Sequence, residues 1–212
     1  MDSLRRMDPQ LLVVYVNLSV YAFCYQMQQP VLPSVVKALV VGNDSIQAWA
    51  QLQSWFGIMQ LGGGLVSGVL ADRFGSKTLL LLSFASSALC YLLQANADSM
   101  AMLYLSQIPT VFQHAFMGAT AFITGRTGAK ERPHMLGYNS VAYGVGMLFG
   151  PALGGWLGKT DLATSAWIAA AGSLVSCVSS KRNYPSLPRP IPPPPLPSSL
   201  VLDRVSPDAL SV

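Results

Sequence analysis

The chain is dominated by long apolar segments, each close to the roughly 20 residues that an α-helix needs to cross a hydrocarbon core of about 30 Å. They run at about Leu11 to Leu32, Ala50 to Leu70, Thr78 to Ala95, Met100 to Thr124, Met135 to Leu157 and Leu162 to Ser180. Lipid offers no partners for backbone N–H and C=O groups, so segments of this length must satisfy them internally, as helices do. The sequence therefore predicts an all-α membrane fold embedded in a lipid bilayer. Residues 1–10 precede it, 11–180 form a bundle of six transmembrane helices, and 181–212 form a separate tail. The first segment does not read as a signal peptide, because it carries Asn17, Gln26, Gln28 and Gln29 and exceeds a typical apolar h-region.

Composition agrees. With 51% hydrophobic and 10% charged residues, a soluble domain would lack the polar surface to cover itself. Cys24, Cys90 and Cys177 lie inside apolar runs and are odd in number, so they read as small buried side chains and not as a disulfide framework. The only histidines are His114 and His134, and no metal-ligand spacing or cofactor motif is present.

Basic residues set the expected orientation. Arg5 and Arg6 precede the first segment, Arg73 and Lys77 join the second to the third, and Arg126, Lys130 and Arg132 join the fourth to the fifth. Lys181 and Arg182 follow the sixth, whereas the alternate connections hold only Lys37 and Lys159. The positive-inside bias places both termini in the cytoplasm. The net charge of +4 is then a topology signal and calls for no nucleic-acid partner.

Between the second and third segments lies Gly68 to Lys77, which puts Asp72, Arg73 and Lys77 in a short connection with Gly68 and Gly75 at either side. A tight charged turn of this kind suggests a moving joint. In the fifth segment Gly146, Gly150 and Gly154 recur every four residues and line one helix face, which lets another backbone approach closely. Pro151 removes a backbone donor within the same stretch.

Both stretches resemble known signatures. Gly68, Leu70, Ala71, Asp72, Arg73, Gly75 and Lys77 match the loop signature between the second and third spans of the major facilitator superfamily, with Ser76 where the family usually has a basic residue. Gly137, Gly146, Gly150, Pro151, Gly154 and Gly155 are similar to the fifth-span signature of its drug and proton antiporters. Residues 48–64 and 131–137 resemble the organic cation transporter-like branch of solute carrier family 22. The resemblance implies the N-terminal half of a facilitator fold, two three-helix units in a 3+3 pseudo-symmetric repeat. Such transporters hold substrate near the membrane midplane between two halves. It also implies that Asp72 and the glycine face of the fifth span meet helices of a missing C-terminal half, to be supplied by a separate chain or a homodimer partner.

Candidates for a substrate or proton path are few. Gln107, Thr110 and His114 recur with Gly118 at three- and four-residue spacing on the fourth segment, and Gln26 and Gln29 are one such spacing apart on the first. His114 is an interior hydrogen-bonded histidine or a proton carrier, and the glutamines are interhelical glue or ligand contacts. Relatives tend to have an arginine where Gln107 stands. Gly62, Gly63, Gly64 and Gly68 read as close packing in a helix and not as a phosphate loop.

Beyond Ser180 the chain becomes proline-dense. Arg182, Pro185 and Pro188, and again Arg189, Pro192 and Pro195, set up an Arg-x-x-Pro-x-x-Pro register that an SH3-type groove can take, on a tail whose plain reading is extended and disordered. Three functions remain open: transport of a small organic solute, such as an organic cation or drug exchanged for protons; a truncated, non-transporting regulator; and a membrane adaptor. No enzyme signature is present: there is no phosphate-cradling Gly-x4-Gly-Lys loop, no Gly-x-Ser-x-Gly elbow and no intramembrane carboxylate pair.

Overall fold

The computed structural model describes residues 9–40, 42, 44–159 and 161–184, and these residues are helical with no strand among them. The first span is α1 (Pro9–Gln28), followed after a turn by the short α2 (Leu32–Leu39). The second is α3 (Asp44–Phe74) and the third α4 (Ser76–Ala95). The fourth is split into α5 (Met100–Gln107), a 3₁₀ segment (Ile108–Phe112) and α6 (Ala115–Arg126). The fifth is α7 (Arg132–Leu157) and the sixth α8 (Leu162–Asn183).

Four spans, the first, second, third and sixth, are long and apolar enough to cross a membrane on those grounds alone. The fifth has the length, 26 residues or about 39 Å at the helical rise, and the fourth is interrupted. The second span begins at Asp44, earlier than the hydropathy of the sequence suggests. Its 31 residues reach about 46 Å, beyond the hydrocarbon thickness, so it tilts or projects from the bilayer. The last helix continues to Asn183, three residues past the expected boundary. Tyr184 is buried, its hydroxyl accepting from Asn17 Nδ2 at 2.8 Å. The remaining tail, with Pro185, Pro188, Arg189, Pro192 and Pro195, lies outside the described residues.

Small polar residues share the interior with the apolar core, and large apolar side chains face outward. Ser83 and Ser87 on α4 and Ser173 and Ser176 on α8 are buried, whereas Leu61, Leu65, Leu148 and Val175 are exposed by two-thirds or more. Lipid tails are as apolar as leucine, so close packing of small residues and hydrogen bonds hold the helices together. Ser83 and Ser87 turn their hydroxyls back onto the carbonyls of Leu79 and Ser83, which lets them be buried within the helix. Large side chains fill the centre, where Phe84, Phe122 and Tyr184 pack with Leu18 and Ile123.

Helix pairing shows the internal repeat. The first span packs on the fifth and the second on the fourth; the first also meets the sixth, the third meets the fourth, and the third meets the sixth. Exchanging each span with the one three places along maps this set onto itself. That is the pattern of a six-helix facilitator half made of two related three-helix units.

Candidate functional site

The interruption of the fourth span is the most irregular backbone in the bundle. Pro109 has no N–H to give, which removes one bond of the α-helical ladder, and here the chain tightens into 3₁₀ turns from Ile108 to Phe112. Freed carbonyls at membrane depth need other donors. Gln60 Nε2 of the second span donates to the Thr110 carbonyl at 3.2 Å, and the Tyr21 hydroxyl of the first span donates to the Gln113 carbonyl at 2.9 Å. Thr110 Oγ1 donates to the Gln107 carbonyl. The break is thus held from both neighbouring spans.

Beside it lies a small chamber of about 30 Å³, lined by Tyr25, Gln28, Gln29, Gln53, Tyr91 and Gln94 on one side and by Gln107, Thr110 and Gln113 of the broken span on the other. Gln107, Thr110 and Gln113 are all buried. The rings of Tyr25 and Phe56 stack at its edge with centroids 6.3 Å apart. It is a polar chamber with no charged side chain in its lining.

Of the five path candidates, Gln29, Gln107 and Thr110 come together here. Gln26 and His114 do not. Gln26 faces the fifth span, where its Cβ limits the space at Gly150. His114 sits just before α6 with its ring against Gly63 and Gly64 of the second span. The continuous stripe predicted from Gln107 to Gly118 is therefore broken: the 3₁₀ segment keeps residues three apart, Gln107, Thr110 and Gln113, on one face and turns His114, four beyond Thr110, out of register. Gln28, Gln53, Gln94 and Gln113 went unrecognised as site residues. The available signal was depth, since Gln28 and Gln29 lie at the end of the first span, Gln53 in the first third of the second, Gln94 near the end of the third, and Gln107 closes the helical part of the fourth before the break.

The loop signature is mostly not a loop. Gly68, Leu70, Ala71, Asp72 and Arg73 belong to α3, α4 begins at Ser76 and includes Lys77, and Gly75 alone joins the helices. Gly75 adopts φ +85° and ψ 160°, a conformation essentially restricted to glycine, so a one-residue joint is possible only with this residue. Asp72 and Arg73 are exposed, Lys77 is half-buried, and Asp72 has no ion-pair partner among the described residues. Leu70 and Arg73 border an outward-facing apolar groove with Leu65 and Phe74.

The glycine series of the fifth span does not wait for a missing helix. Gly146, Gly150 and Gly154 are buried against the first span of the same chain. A Cβ at Gly146 would lie 2.6 Å from Phe23 N, one at Gly150 would lie 2.8 Å from Phe23 O, and one at Gly154 would overlap the Met27 carbonyl. The seam is tied by Ser19 Oγ donating to the Ala142 carbonyl at 2.7 Å and Tyr15 OH donating to the Met135 carbonyl at 3.0 Å. Gly137 and Gly155 of the same signature face open space, and Pro151 is exposed. By the repeat, the second span meets the fourth in a similar way through Gly63, whose missing side chain admits the Val111 carbonyl of the 3₁₀ segment. Gly62 and Gly68 have open space instead of close contacts. The outward faces of the second and fifth spans, with Ile58, Leu61 and Leu65 on one and Val141, Leu148 and Phe149 on the other, are among the uncovered apolar surfaces, as are Val175 and Val178 of the sixth.

Known proteins match this chain throughout the bundle. The family model described as Major Facilitator Superfamily covers residues 14–207. Solute carrier family 22 member 18 of Mus musculus is 36% identical over 152 residues, which is 69% of this chain and 37% of the mouse protein. The class G tetracycline resistance protein of Vibrio anguillarum is 34% identical over 164 residues, 74% of this chain and 41% of that protein. Among solved structures, the peptide transporter POT in complex with sulfate superposes with a TM-score of 0.73 at 17% identity, over 92% of this chain and 42% of that one. The chain spans about two fifths of the length of the curated relatives it matches. Its helices and these matches make it a membrane-embedded multi-pass protein, and the chain belongs to the major facilitator superfamily.

Proposed function

We propose that this chain forms one bundle of a carrier that moves a small organic solute, an organic cation or drug, across a membrane in exchange for protons. The observation that supports it most directly is the interrupted fourth span. Irregular backbone inside a membrane is stable only where protein or a polar cavity satisfies it, and such discontinuous helices are where transporters build their binding sites. Here the break carries Gln107, Thr110 and Gln113 to a polar chamber and is held by side chains of the first and second spans. In this reading His114, at the start of α6 and against the second span, couples protons to movement of that span.

A rocking carrier needs a second bundle to close the other side of its pathway. In this reading the uncovered faces of the second and fifth spans meet it, whether it comes from a separate C-terminal half or from another copy, and Asp72 contacts it at the cytoplasmic edge. The same apolar faces support a second reading, a non-transporting chain that binds a full-length carrier and regulates it. Reconstitution separates the two. The chain is placed in proteoliposomes alone, and together with the C-terminal half of a facilitator relative, and tetraethylammonium uptake is followed under an imposed pH gradient. Carrier function predicts gradient-dependent uptake in an assembly with two bundles. Silence in both preparations, with modulation of a full-length relative, would leave the regulator. Unchanged pH dependence after His114→Gln would remove the histidine from the coupling.

A further inference from the structure

We infer that the chamber bounded by Gln28, Tyr91, Gln94 and Gln113 is an internal hydration site, where one or two ordered waters bridge the first, third and fourth spans. Size sets the first limit. The chamber measures about 30 Å³, while a water needs roughly 10–15 Å³ of such space and two to four polar partners. A drug-sized solute would need the chamber to open first.

Hydrogen bonding sets the second. Four side chains of the lining each present a buried atom that no nitrogen or oxygen of the described residues pairs: Gln28 Nε2, Tyr91 OH, Gln94 Oε1 and Gln113 Nε2, the last meeting only the weakly accepting Cys90 thiol. Gln28, Tyr91 and Gln113 expose only 5%, 2% and 4% of their surface, so bulk solvent does not serve them. Other groups nearby are already engaged: Gln94 Nε2 donates to Cys90 Sγ at 3.3 Å, and Gln107 Nε2 to Ser106 Oγ at 3.2 Å.

Chemistry selects among small occupants. Two of the four atoms are amide donors, one is an amide acceptor, and the tyrosine hydroxyl can do either. Amide N–H groups oppose a cation, the amide oxygen opposes an anion, and no charged side chain lines the chamber to compensate. An apolar occupant would leave all four atoms unpaired. Water donates and accepts at once, and stays matched if any of these amides turns end for end. Its position also has a reason: the chamber lies where the fourth span leaves α-geometry, and waters re-satisfy polar groups at such interruptions. The inference does not depend on the transport reading.

Radiolytic hydroxyl-radical footprinting of the full chain in nanodiscs tests it, because radicals formed from a bound water attack the side chain beside it. Two tyrosines form a matched pair. Tyr91 is 2% exposed and Tyr184 1%, but the Tyr184 hydroxyl is occupied by Asn17 at 2.8 Å and lies outside the chamber. The expected result is Tyr91 oxidised several-fold faster than Tyr184, with the excess lost in Gln94→Leu/Gln113→Leu while Tyr184 is unaffected. A Tyr91 rate no greater than that of Tyr184 in the native chain would overturn the assignment. So would an excess that survives the double substitution.

Discussion

A single methyl group distinguishes two kinds of glycine in the fifth span. At Gly150 a Cβ would lie 2.8 Å from both Phe23 O and Gln26 Cβ, and backbone cannot yield as a flexible side-chain tip can. At Gly155 nothing lies within 4 Å. Gly150→Ala is therefore expected to destabilise the bundle by about 1–3 kcal/mol, the usual cost of overpacking. Gly155→Ala is expected to be neutral or slightly stabilising, since alanine is the better helix former by up to about 1 kcal/mol. Thermal unfolding in detergent compares them, and equal effects would mean that the first and fifth spans do not pack as described. Asp72 presents the opposite case, a residue with little structural work. Its carboxylate is exposed in the last turn of α3, where the helix dipole disfavours negative charge. Asp72→Asn should leave the unfolding free energy within about 0.5 kcal/mol of the native value while reducing uptake in the two-bundle assembly. A large loss of stability would show that the residue serves the fold itself.

At the scale of elements, the fourth span depends on donors from its neighbours. Tyr21→Phe keeps the packing of the ring but leaves the Gln113 carbonyl without its donor, and a buried unpaired group costs about 1–3 kcal/mol. A correspondingly lower unfolding midpoint is expected, and an unchanged one would show that the Tyr21 hydroxyl does not hold the break. The start of α8 has its own pH dependence. Asp161 Oδ2 accepts from Thr164 Oγ1 at 2.6 Å and Oδ1 from Ala163 N at 3.0 Å, and these bonds hold its carboxyl below the usual carboxylate range. The folded-state pKa is depressed, so the cap is fully present above the unfolded value and is lost as pH falls through the folded one. A spin label at Leu162 should stay ordered through the ordinary carboxylate range and become mobile only on further acidification. Legibility also differs by element. Four of the six segments, the first, second, third and sixth, were readable from apolar length alone, because a helix in lipid needs little beyond it. The break was announced by Pro109, but a reading by helical period carried the stripe through it, and so put His114 with Gln107. The joint at Gly75 was misread for the opposite reason: charged residues suggested a loop, whereas the ends of membrane helices at the interface hold charge without unwinding.

For the whole molecule, the sequence revealed what each helix is and less of what it touches. The glycine face of α7 was legible as a close contact from its four-residue spacing, but spacing does not name the partner, and the partner is α1. Likewise the glutamines were visible singly, while their convergence needed the arrangement of four spans around one chamber. Orientation in the membrane follows from a different property, the distribution of charge. Arg73, Lys77, Arg126, Lys130, Arg132, Lys181 and Arg182 all lie at one end of the six-helix bundle, and Lys37 and Lys159 lie at the other. Retention of basic residues on the cytoplasmic side then predicts which end faces inward. Single cysteines report it directly, in a chain whose Cys177 is replaced by serine and whose Cys24 and Cys90 are buried at 2% exposure. With a membrane-impermeant maleimide on sealed vesicles of known sidedness, Lys130→Cys should react only from the cytoplasmic side, and Asp98→Cys and Lys159→Cys only from the opposite side. The reverse pattern would invert the molecule. It would also put Asp72 on the side away from the cytoplasm, so that any contact it makes with a second bundle would have to belong to the opposite gate.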